Sequence, residues 1–297
     1  MEKLLITGGS GFIGRNLLGL LNDKYDVYLI SFREGLSISN FSGQVICCDL
    51  LNVIETDKTI SALKPDKLIH LAWGMEPGNY NLPDNFSWLT ASMSLLEIFQ
   101  ENGGKSVMIA GSCVQYDWAL GGCDEERTPR ANNSIYGNCK NILEDFALSF
   151  CAANDIQCVW VRPFFMYGAH EDERRLVAYL IKNLLENKEA VVQNGVVYRD
   201  FLLAEDVASL MLALFETDQS GVFNIGSGGM HNLGDVALTL GRLLDSRDLL
   251  KIKMPENVSN KYVVANMDKV KSVLDWQPKY NLESGLSKTI EWWKQNI

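Results

Sequence analysis

A chain of 297 residues, 47% of them hydrophobic, is long enough to bury a large core in one or two domains. Its formal net charge of -10 argues against a surface that binds nucleic acid or anionic lipid, since both require clustered Lys and Arg. No apolar run is long enough to span a bilayer and no signal peptide precedes the first predicted strand, so we expect a cytoplasmic protein without a membrane partner.

The first predicted element is a short buried strand, residues 3–7, which leads into a glycine-rich turn and a helix from Phe12. The turn carries Gly8, Gly11 and Gly14 in a G-x-x-G-x-x-G spacing. Glycine permits unusual backbone angles, close approach of the backbone to a ligand, and tight packing of helix on strand. With the N–H groups at the helix start, this pattern favours a dinucleotide pyrophosphate site. An ordinary strand-to-helix turn is the alternative.

Apolar runs and helical stretches then alternate through the first half of the chain. Such alternation is typical of a parallel sheet covered by helices on both faces, so we predict a doubly wound α/β domain. The further predicted strands are residues 27–31, 45–48, 68–71, 107–110 and 158–161, and the predicted helices are 12–21, 53–63, 86–100 and 136–153.

Past Pro163 the alternation loosens, which predicts a smaller mixed α/β lobe. Its predicted helices are residues 174–185, 205–215, 232–244, 267–274 and 282–293, and its short strands are 191–192 and 222–225. We therefore expect a dinucleotide-binding domain over residues 1–165 and a mainly substrate-binding lobe over residues 166–297, with some segments returning to the first domain.

The seven cysteines form an odd set without a C-x-x-C pair, and the three histidines have no ligand spacing beside them. This pattern does not favour a disulfide framework or a structural zinc site. We predict free, buried thiols and no bound metal.

Tyr136 and Lys140 are four residues apart at the start of a predicted helix, so both side chains can face one cleft. A free tyrosine has a pKa of about 10 and is a poor base at neutral pH, but a neighbouring ammonium favours the phenolate. The pair therefore suits proton transfer, and Lys140 could also bond a cofactor ribose. An exposed pair on a helix surface is the alternative.

Ser112 lies just past the strand predicted at 107–110. The carboxyl end of a strand is where a doubly wound sheet places functional groups. A hydroxyl there can bond a substrate carbonyl that gains negative charge during hydride transfer. A turn serine that satisfies only the local backbone is the alternative.

These motifs occur in order on suitable elements, and across nearly its whole length the sequence resembles the extended short-chain dehydrogenases/reductases. The resemblance is to the branch of nucleotide-sugar epimerases, dehydratases and reductases, and it implies a Rossmann domain. The motifs that carry it are residues 7–14 (TGGSGFIG), 49–50 (DL), 70–72 (HLA), Ser112, 136–140 (YGNCK) and 199–201 (RDF).

The resemblance implies a role for each matching residue in binding the cofactor. The residues expected at the pyrophosphate, at the adenine and at the middle of the cofactor are, in turn, Gly8, Gly11, Phe12, Ile13 and Gly14; Asp49 and Leu50; and Ala72. Tyr136 and Lys140 are expected to contact the cofactor as well.

The resemblance also implies that Ser112, Tyr136 and Lys140 form the catalytic set, in which Tyr136 passes a proton to or from a sugar oxygen. Arg199 would bind the diphosphate of a sugar nucleotide through a charge-assisted fork, unless it only pairs with its neighbour Asp200. Arg175 is either a second substrate contact or a surface charge.

One departure from the family pattern concerns the cofactor. Members that use NAD carry an acid after the second strand, where this chain has Ser31, Phe32 and Arg33. A hydroxyl and a guanidinium suit a 2′-phosphate, so Ser31 and Arg33 favour NADP(H), with NAD(H) still possible. Arg33 as a solvated loop charge is the alternative.

Further departures concern the reaction. Dehydratases of the branch place an acidic pair directly after the catalytic hydroxyl, whereas this chain has Cys113 and Val114, so we expect no dehydration. Cys113 is expected to be a small buried residue rather than a reactive thiol. Many epimerases have an Asn where this chain has Phe165, which cannot bond substrate phosphates. His170 is either a second acid/base or a polar loop residue.

The favoured hypothesis is NADPH-dependent reduction of a nucleotide-linked 4-keto-6-deoxy sugar, with Tyr136 as the proton donor. A nucleotide-sugar epimerase that recycles its NAD(P) is the first alternative, and a non-catalytic NADP-binding module is the second. The resemblance also implies a homodimer that pairs the helices at 86–100 and 136–153.

Overall fold

The computed structural model describes residues 1–21, 24–38, 41–74, 80–131 and 133–297. The strands are, in chain order, β1 (Lys3–Thr7), β2 (Asp26–Ser31), β3 (Gln44–Cys47), β4 (Lys67–His70), β5 (Ser106–Ala110), β6 (Gly122–Cys123), β7 (Gln157–Pro163), β8 (Phe165–Tyr167), β9 (Ala190–Val192), β10 (Tyr198–Arg199), β11 (Phe201–Leu203), β12 (Gly221–Ile225), β13 (His231–Asn232), β14 (Leu250–Ile252) and β15 (Tyr262–Ala265). The helices are α1 (Phe12–Leu18), α2 (Val53–Leu63), α3 (Asp84–Glu101), α4 (Ile135–Ala153), α5 (Leu176–Leu185), α6 (Ala204–Phe215), α7 (Leu233–Leu243), α8 (Asp268–Val273) and α9 (Leu282–Asn296).

Seven of the described strands form one sheet in the order β12-β7-β5-β4-β1-β2-β3. The pairings of β1 with β2 and β4, of β2 with β3, and of β5 with β4 and β7 are all parallel. The apolar runs of β1 and β5 are buried on both faces, as a helix-covered parallel sheet requires. The predicted doubly wound α/β fold is therefore confirmed.

The order of the strands reverses at β1, because the chain proceeds outward to β2 and β3 and then returns to β4 on the other side. In such sheets a crevice opens at the carboxyl ends of the two strands that flank the reversal. The fold therefore directs attention to the residues that follow β1 and β4.

Two compact units make up the chain, each with its own core. Unit 1 contains Met1–Gln115, Arg130–Arg162 and Ala208–Phe223, and unit 2 contains Tyr116–Pro129, Pro163–Val207 and Asn224–Ile297. Buried residues of the first core include Leu95, Phe99, Leu143 and Trp160, and those of the second include Leu180, Ile181, Val236 and Leu286. The assignment of substrate binding to the second half of the chain stays a prediction.

Unit 2 holds a mixed sheet in the order β13-β10-β15-β6 and two parallel pairs, β8 with β11 and β9 with β14. The sequence predicted only one of these strands, at 191–192. Strands of two to four residues are too short to show a period, so their pairing depends on distant segments of the chain.

Most of the described helices differ from their predicted bounds by one to three residues, and two of them show a local cause. Helix α1 ends at Leu18 rather than near Leu21, because Leu20 N–H donates to Leu17 O in a tighter turn. Helix α5 begins at Leu176 rather than at Arg174. Arg175 is its extended N-cap, and Asp172 holds the preceding turn by accepting from Arg174 N–H.

All seven cysteines are free thiols. Six of them are buried, as predicted, whereas Cys47 at the end of β3 is exposed. The expectation of uniformly buried thiols was wrong at that edge strand. Among the described residues, no helix is long and apolar enough to cross a lipid bilayer.

Candidate active site

The glycine-rich turn lies at the reversal of the strand order, where Thr7 of β1 is paired with His70 of β4. Gly8 has a φ of 71°, and a Cβ there would lie 2.6 Å from the backbone nitrogen of Ala72. A Cβ on Gly14 would lie 2.3 Å from the Cα of Gly9. Because both obstacles are backbone atoms, only glycine fits at these two positions.

A buried hydrogen-bond chain ties the ends of β1 and β4 to α3. Thr7 Oγ1 lies 2.6 Å from His70 Nδ1, and His70 Nε2 lies 2.8 Å from Ser92 Oγ. Ser92 Oγ donates to Trp88 O and so accepts from His70 Nε2–H, which leaves Nδ1 as the acceptor for Thr7. Burial and the charge of Lys140 lower the pKa of His70 to about 3. His70 is therefore a neutral structural link.

The ends of β2 and β3 carry the residues expected near the adenosine of a cofactor. Ser31 is buried, and its Oγ accepts from Arg33 N–H at 3.0 Å, whereas Arg33 is exposed with its Cζ 5.4 Å from the centroid of the Phe32 ring. Asp49 is exposed and caps its own turn by accepting from Leu51 N–H. Arg33 is thus exposed beside Phe32, just past the carboxyl end of β2.

Tyr136 lies in the first turn of α4, where the sequence supplies caps for the free N–H groups. Ser134 Oγ accepts from Gly137 N–H, Asn81 Oδ1 accepts from Ile135 N–H, and Tyr80 O accepts from Tyr136 N–H. The side chain of Tyr136 is buried, with 6% exposed. The alternative of an exposed helix pair is therefore excluded.

Lys140 is also buried, with 3% exposed, one helical turn beyond Tyr136. Its Nζ donates to Ala110 O at 2.7 Å and lies 5.9 Å from the centroid of the Tyr136 ring. Burial lowers the pKa of Lys140 to about 7. An ammonium and a phenol thus share one enclosed corner at the end of β5.

Trp73 covers this corner, and sequence reasoning gave it no role. Lys140 Nζ lies 3.8 Å from the centroid of the Trp73 ring, and the Trp73 and Tyr136 rings meet edge to face with centroids 6.0 Å apart. Trp73 Nε1 donates to Asn85 Oδ1, which fixes the indole. The signal that could have found it is an aromatic residue directly after the H-L-A motif.

Ser112 follows β5 in the turn that continues as a short 3-10 helix, Cys113–Gln115. Its Oγ accepts from Val114 N–H at 3.2 Å, so the local turn role is real. A Cβ on Gly137 would lie 3.3 Å from Val114 O, so the first turn of α4 packs against this turn. Ser112, Tyr136 and Lys140 therefore come together within unit 1.

Arg199 lies in unit 2, and its surroundings differ from the alternative of an ion pair with Asp200. Its Nη1 donates to the carbonyls of Tyr198 and Asn260 at 2.8 and 3.0 Å, and its Cζ lies 5.2 Å from the centroid of the Phe165 ring. The buried Asp200 carboxylate instead accepts from backbone and hydroxyl groups, including Ser227 N–H at 2.7 Å. The ring of Phe165 therefore makes a cation–π contact with the guanidinium of Arg199.

Arg175 precedes α5 and lies close to Glu171. Burial raises the pKa of Glu171 to about 8, and the charge of Arg175 opposes this shift. His170 has a φ of 68°, and its ring meets the Trp292 ring with centroids 4.8 Å apart. Cys113, in unit 1, is buried, as expected of a small packing residue.

Comparison with known proteins decides the family. The model of the NAD dependent epimerase/dehydratase family matches residues 4–226. The chain belongs to this family. The resemblance inferred from the motifs is thereby confirmed for the nucleotide-sugar branch of the extended short-chain dehydrogenases/reductases.

Relatives within the family have several activities. The chain is 27% identical over 299 residues to UDP-glucuronic acid decarboxylase 6 of Arabidopsis thaliana, covering 96% of this chain and 86% of that protein. It is 26% identical over 318 residues to UDP-glucuronate 4-epimerase of Thermodesulfobacterium geofontis, covering 100% and 98%. The two relatives are named for different reactions, a decarboxylation and a 4-epimerisation.

A solved structure agrees with the fold over the full length. UDP-N-acetylglucosamine 4-epimerase from Methanobrevibacter ruminantium superposes with a TM-score of 0.88 at 22% identity, covering 100% of this chain and 99% of that one. The two proteins therefore share one fold over their full lengths.

Proposed function

We propose that this protein is an NADPH-dependent reductase of a nucleotide-linked 4-keto-6-deoxy sugar. The observation that carries the proposal is the buried pair of Tyr136 and Lys140, packed against the turn that presents Ser112. These are the groups needed to protonate an oxygen while a hydride arrives on its carbon.

The residues of the glycine-rich turn fit a dinucleotide. Gly8 and Gly14 let the turn pack closely against neighbouring backbone, Gly11 is exposed, and the first turn of α1 has no acidic side chain to compete with a phosphate. We assign the pyrophosphate to residues 8–14, the adenine to Asp49 and Leu50, and the middle of the cofactor to Ala72. When bound, the cofactor supplies the hydride.

Three side chains then share the work at the substrate carbonyl. Tyr136 donates its phenolic proton to the C4 oxygen, and the charge of Lys140 favours the phenolate that remains. Ser112 donates its O–H to the same oxygen. Because Ser112 Oγ accepts from Val114 N–H, its O–H is a stronger donor than an isolated hydroxyl. Removing one such donor typically costs about 10²- to 10³-fold in rate.

The preference for NADPH rests on the end of β2. Ser31 and the exposed guanidinium of Arg33 occupy the place where an acid would bond the 2′-hydroxyl of NAD. A guanidinium instead suits a phosphate, which it binds through paired N–H donors. The family is described as NAD dependent, so the proposed preference for NADPH departs from that description.

Substrate binding is assigned to two arginines of unit 2. We propose that Arg199, steadied by Phe165 and by backbone carbonyls, binds the diphosphate, and that Arg175 is a second substrate contact. We also propose a homodimer that pairs α3 and α4 of two copies, since both helices present exposed apolar side chains such as Phe86 and Ile142.

An epimerase is the second candidate, favoured by the relatedness to UDP-glucuronate 4-epimerase over the full length. An epimerase removes and returns a hydride, so it consumes no cofactor. Net oxidation of NADPH therefore separates the two candidates.

The test offers NADPH or NADH to the purified protein with UDP-, dTDP-, GDP- and CDP-linked 4-keto-6-deoxyhexoses. A reductase oxidises one NADPH per product molecule, and mass spectrometry finds a product with two additional hydrogens. Interconversion of two sugars of equal mass without net oxidation supports the epimerase instead. No reaction with any member of the panel contradicts the proposal.

A further inference from the structure

Gln115 is a fully buried amide whose hydrogen-bonding groups are engaged on both sides. Its Oε1 accepts from Ser112 N–H at 3.0 Å and from Trp160 Nε1–H at 3.1 Å. Its Nε2 donates to Asn141 Oδ1 at 3.1 Å and to Glu144 Oε2 at 2.9 Å. Gln115 thus connects the turn of Ser112 directly to helix α4.

The orientation of this amide is fixed by a buried charge. Glu144 is fully buried and accepts from Arg162 Nε and Nη2 at 3.0 and 2.6 Å and from Arg130 Nη2 at 2.7 Å. Flipping the Gln115 amide would place its oxygen against the Glu144 carboxylate and its NH₂ against Ser112 N–H. Both contacts would be repulsive, so only one orientation satisfies the network.

Gly111 leaves the space that the Gln115 amide occupies. A Cβ on Gly111 would lie 2.3 Å from Gln115 Oε1 and 2.3 Å from Trp160 Nε1. Any larger residue at 111 would therefore displace the amide or the indole. The glycine before Ser112 is needed for this contact.

We propose that Gln115 is the positioning residue for Ser112. By bonding Ser112 N–H from a rigid, charge-anchored network, it holds the turn so that the Ser112 hydroxyl points at the substrate carbonyl. Gln115 itself contacts neither substrate nor cofactor. This inference rests on the proposed function, since it concerns a hydroxyl that acts only during the reaction.

A purely structural role would produce a different result from a positioning role. If Gln115 only stabilised the core, its replacement would lower the melting temperature but leave the kcat of the folded protein unchanged. If it acts through Ser112, its replacement lowers kcat, and the loss disappears once the Ser112 hydroxyl is absent. A double-mutant cycle separates the two roles.

The experiment compares wild type, Gln115→Met, Ser112→Ala and the double variant as folded proteins with NADPH and the keto-sugar panel. Met is close to Gln in size but bonds neither Ser112 nor Glu144. We expect Gln115→Met to lower kcat by about 10- to 100-fold. KM for the sugar and the Kd for NADPH, measured by calorimetry, should change by less than about twofold. In the Ser112→Ala background the same replacement should change kcat by less than about twofold.

Two further variants serve as a control and as a substitute for Gln115→Met. Ser106 begins β5, at the end of the strand far from Ser112, and its buried hydroxyl donates to Gln157 Oε1. Ser106→Ala should therefore lower the melting temperature without changing kcat. If Gln115→Met does not fold, Gln115→Asn keeps an amide but shortens its reach by one methylene, and the same loss of kcat is expected.

The outcomes distinguish this inference from the proposed function. An active wild type with an unchanged kcat in Gln115→Met, or with an equal loss in both backgrounds, overturns the role of Gln115 alone. A wild type that epimerises instead is carried through the same cycle with epimerisation as the readout. A wild type without either activity overturns the proposed function and the positioning role together.

Discussion

Lys140 is an ammonium taken almost completely out of water. A carbonyl at 2.7 Å and the face of Trp73 at 3.8 Å replace part of its hydration. Burial nevertheless lowers its pKa to about 7, because the neutral amine loses less on leaving water. The negative charge of a bound dinucleotide would raise that pKa again, so the cofactor itself would recruit the charge that assists Tyr136.

The buried charge predicts a pH-dependent difference in stability between wild type and Lys140→Met. The ordinary pKa of 10.5 applies in the unfolded chain and about 7 in the folded one, so between these values the unfolded chain binds more protons. The free energy of unfolding of wild type therefore rises with pH across this window. Lys140→Met should be the more stable protein at about pH 6, and its advantage should shrink by up to about 1.4 kcal/mol per pH unit toward about pH 10.

Urea unfolding of both proteins at several pH values measures this difference, and groups whose pKa does not depend on Lys140 cancel in the comparison. An advantage that stays constant from acid to alkaline pH would mean that Lys140 keeps an ordinary pKa when folded.

We expect Arg33 to determine the preference for NADPH over NADH. A charge-assisted hydrogen bond to a phosphate contributes roughly 1.5 to 3 kcal/mol, so Arg33→Ala should lower kcat/KM for NADPH by about 10- to 100-fold. The value for NADH should change little, because NADH has no 2′-phosphate. Glu34→Ala removes the next charged side chain and serves as the matched control. The opposite result would show a preference for NAD: kcat/KM for NADH falls in Glu34→Ala, and kcat/KM for NADPH is unchanged in Arg33→Ala.

The turn between β1 and α1 makes a prediction at the scale of one element. A Cβ on Gly14 would meet the Cα of Gly9 at 2.3 Å, and a backbone atom cannot move aside as a side chain can. Gly14→Ala should therefore cost about 1 to 3 kcal/mol of stability and weaken NADPH binding. Gly19→Ala, after the same helix, is the control. It has right-handed helical angles with its nearest contact at 3.9 Å, so it should gain about 0.4 to 1 kcal/mol. Equal effects of the two replacements in thermal unfolding and calorimetry would refute this account.

Helices α3 and α4 make a prediction about assembly. Ile142 on α4 is 51% exposed and Phe86 on α3 is 66% exposed, although both are large apolar residues. If these helices pair two copies, Ile142→Glu places a charge in the interface and should shift the sedimentation coefficient from dimer to monomer. Ile54→Glu alters a still more exposed apolar residue, on α2, and should leave the dimer intact. A wild type that sediments as a monomer would contradict the proposed homodimer.

Elements with strong local signals were predictable. Helix α2 has the bounds 53–63 that the sequence predicts, with Asn52 as its N-cap. Helix α5 was less predictable, because Asp172 and Arg174 form a turn that competes with the first helical residues. The pairing of β10 with β15 joins Tyr198 to Tyr262, and no local pattern reports a contact so distant in the chain.

For the molecule as a whole, the sequence predicted the sheet, the family and the clustering of Ser112 with Tyr136 and Lys140. The clustering follows from the rule that parallel strands present their carboxyl ends at one edge, whereas the family follows from the order of the motifs. It did not predict Trp73 over Lys140 or Gln115 behind Ser112, because a tryptophan in a loop and a glutamine in a turn have many ordinary roles. Their importance comes from three-dimensional contacts with residues distant in the chain.

The central claim is that Tyr136, assisted by Lys140, transfers the proton in a reaction at a sugar carbonyl. Tyr136→Phe keeps the ring that packs against Trp73 and removes only the phenolic group. The direct measurement is single-turnover oxidation of NADPH by wild type and Tyr136→Phe with the reactive keto-sugar, beside calorimetric binding of NADPH to each. We expect a rate about 10²- to 10⁴-fold lower in the variant, with cofactor affinity nearly unchanged. An unchanged rate in Tyr136→Phe would contradict the account.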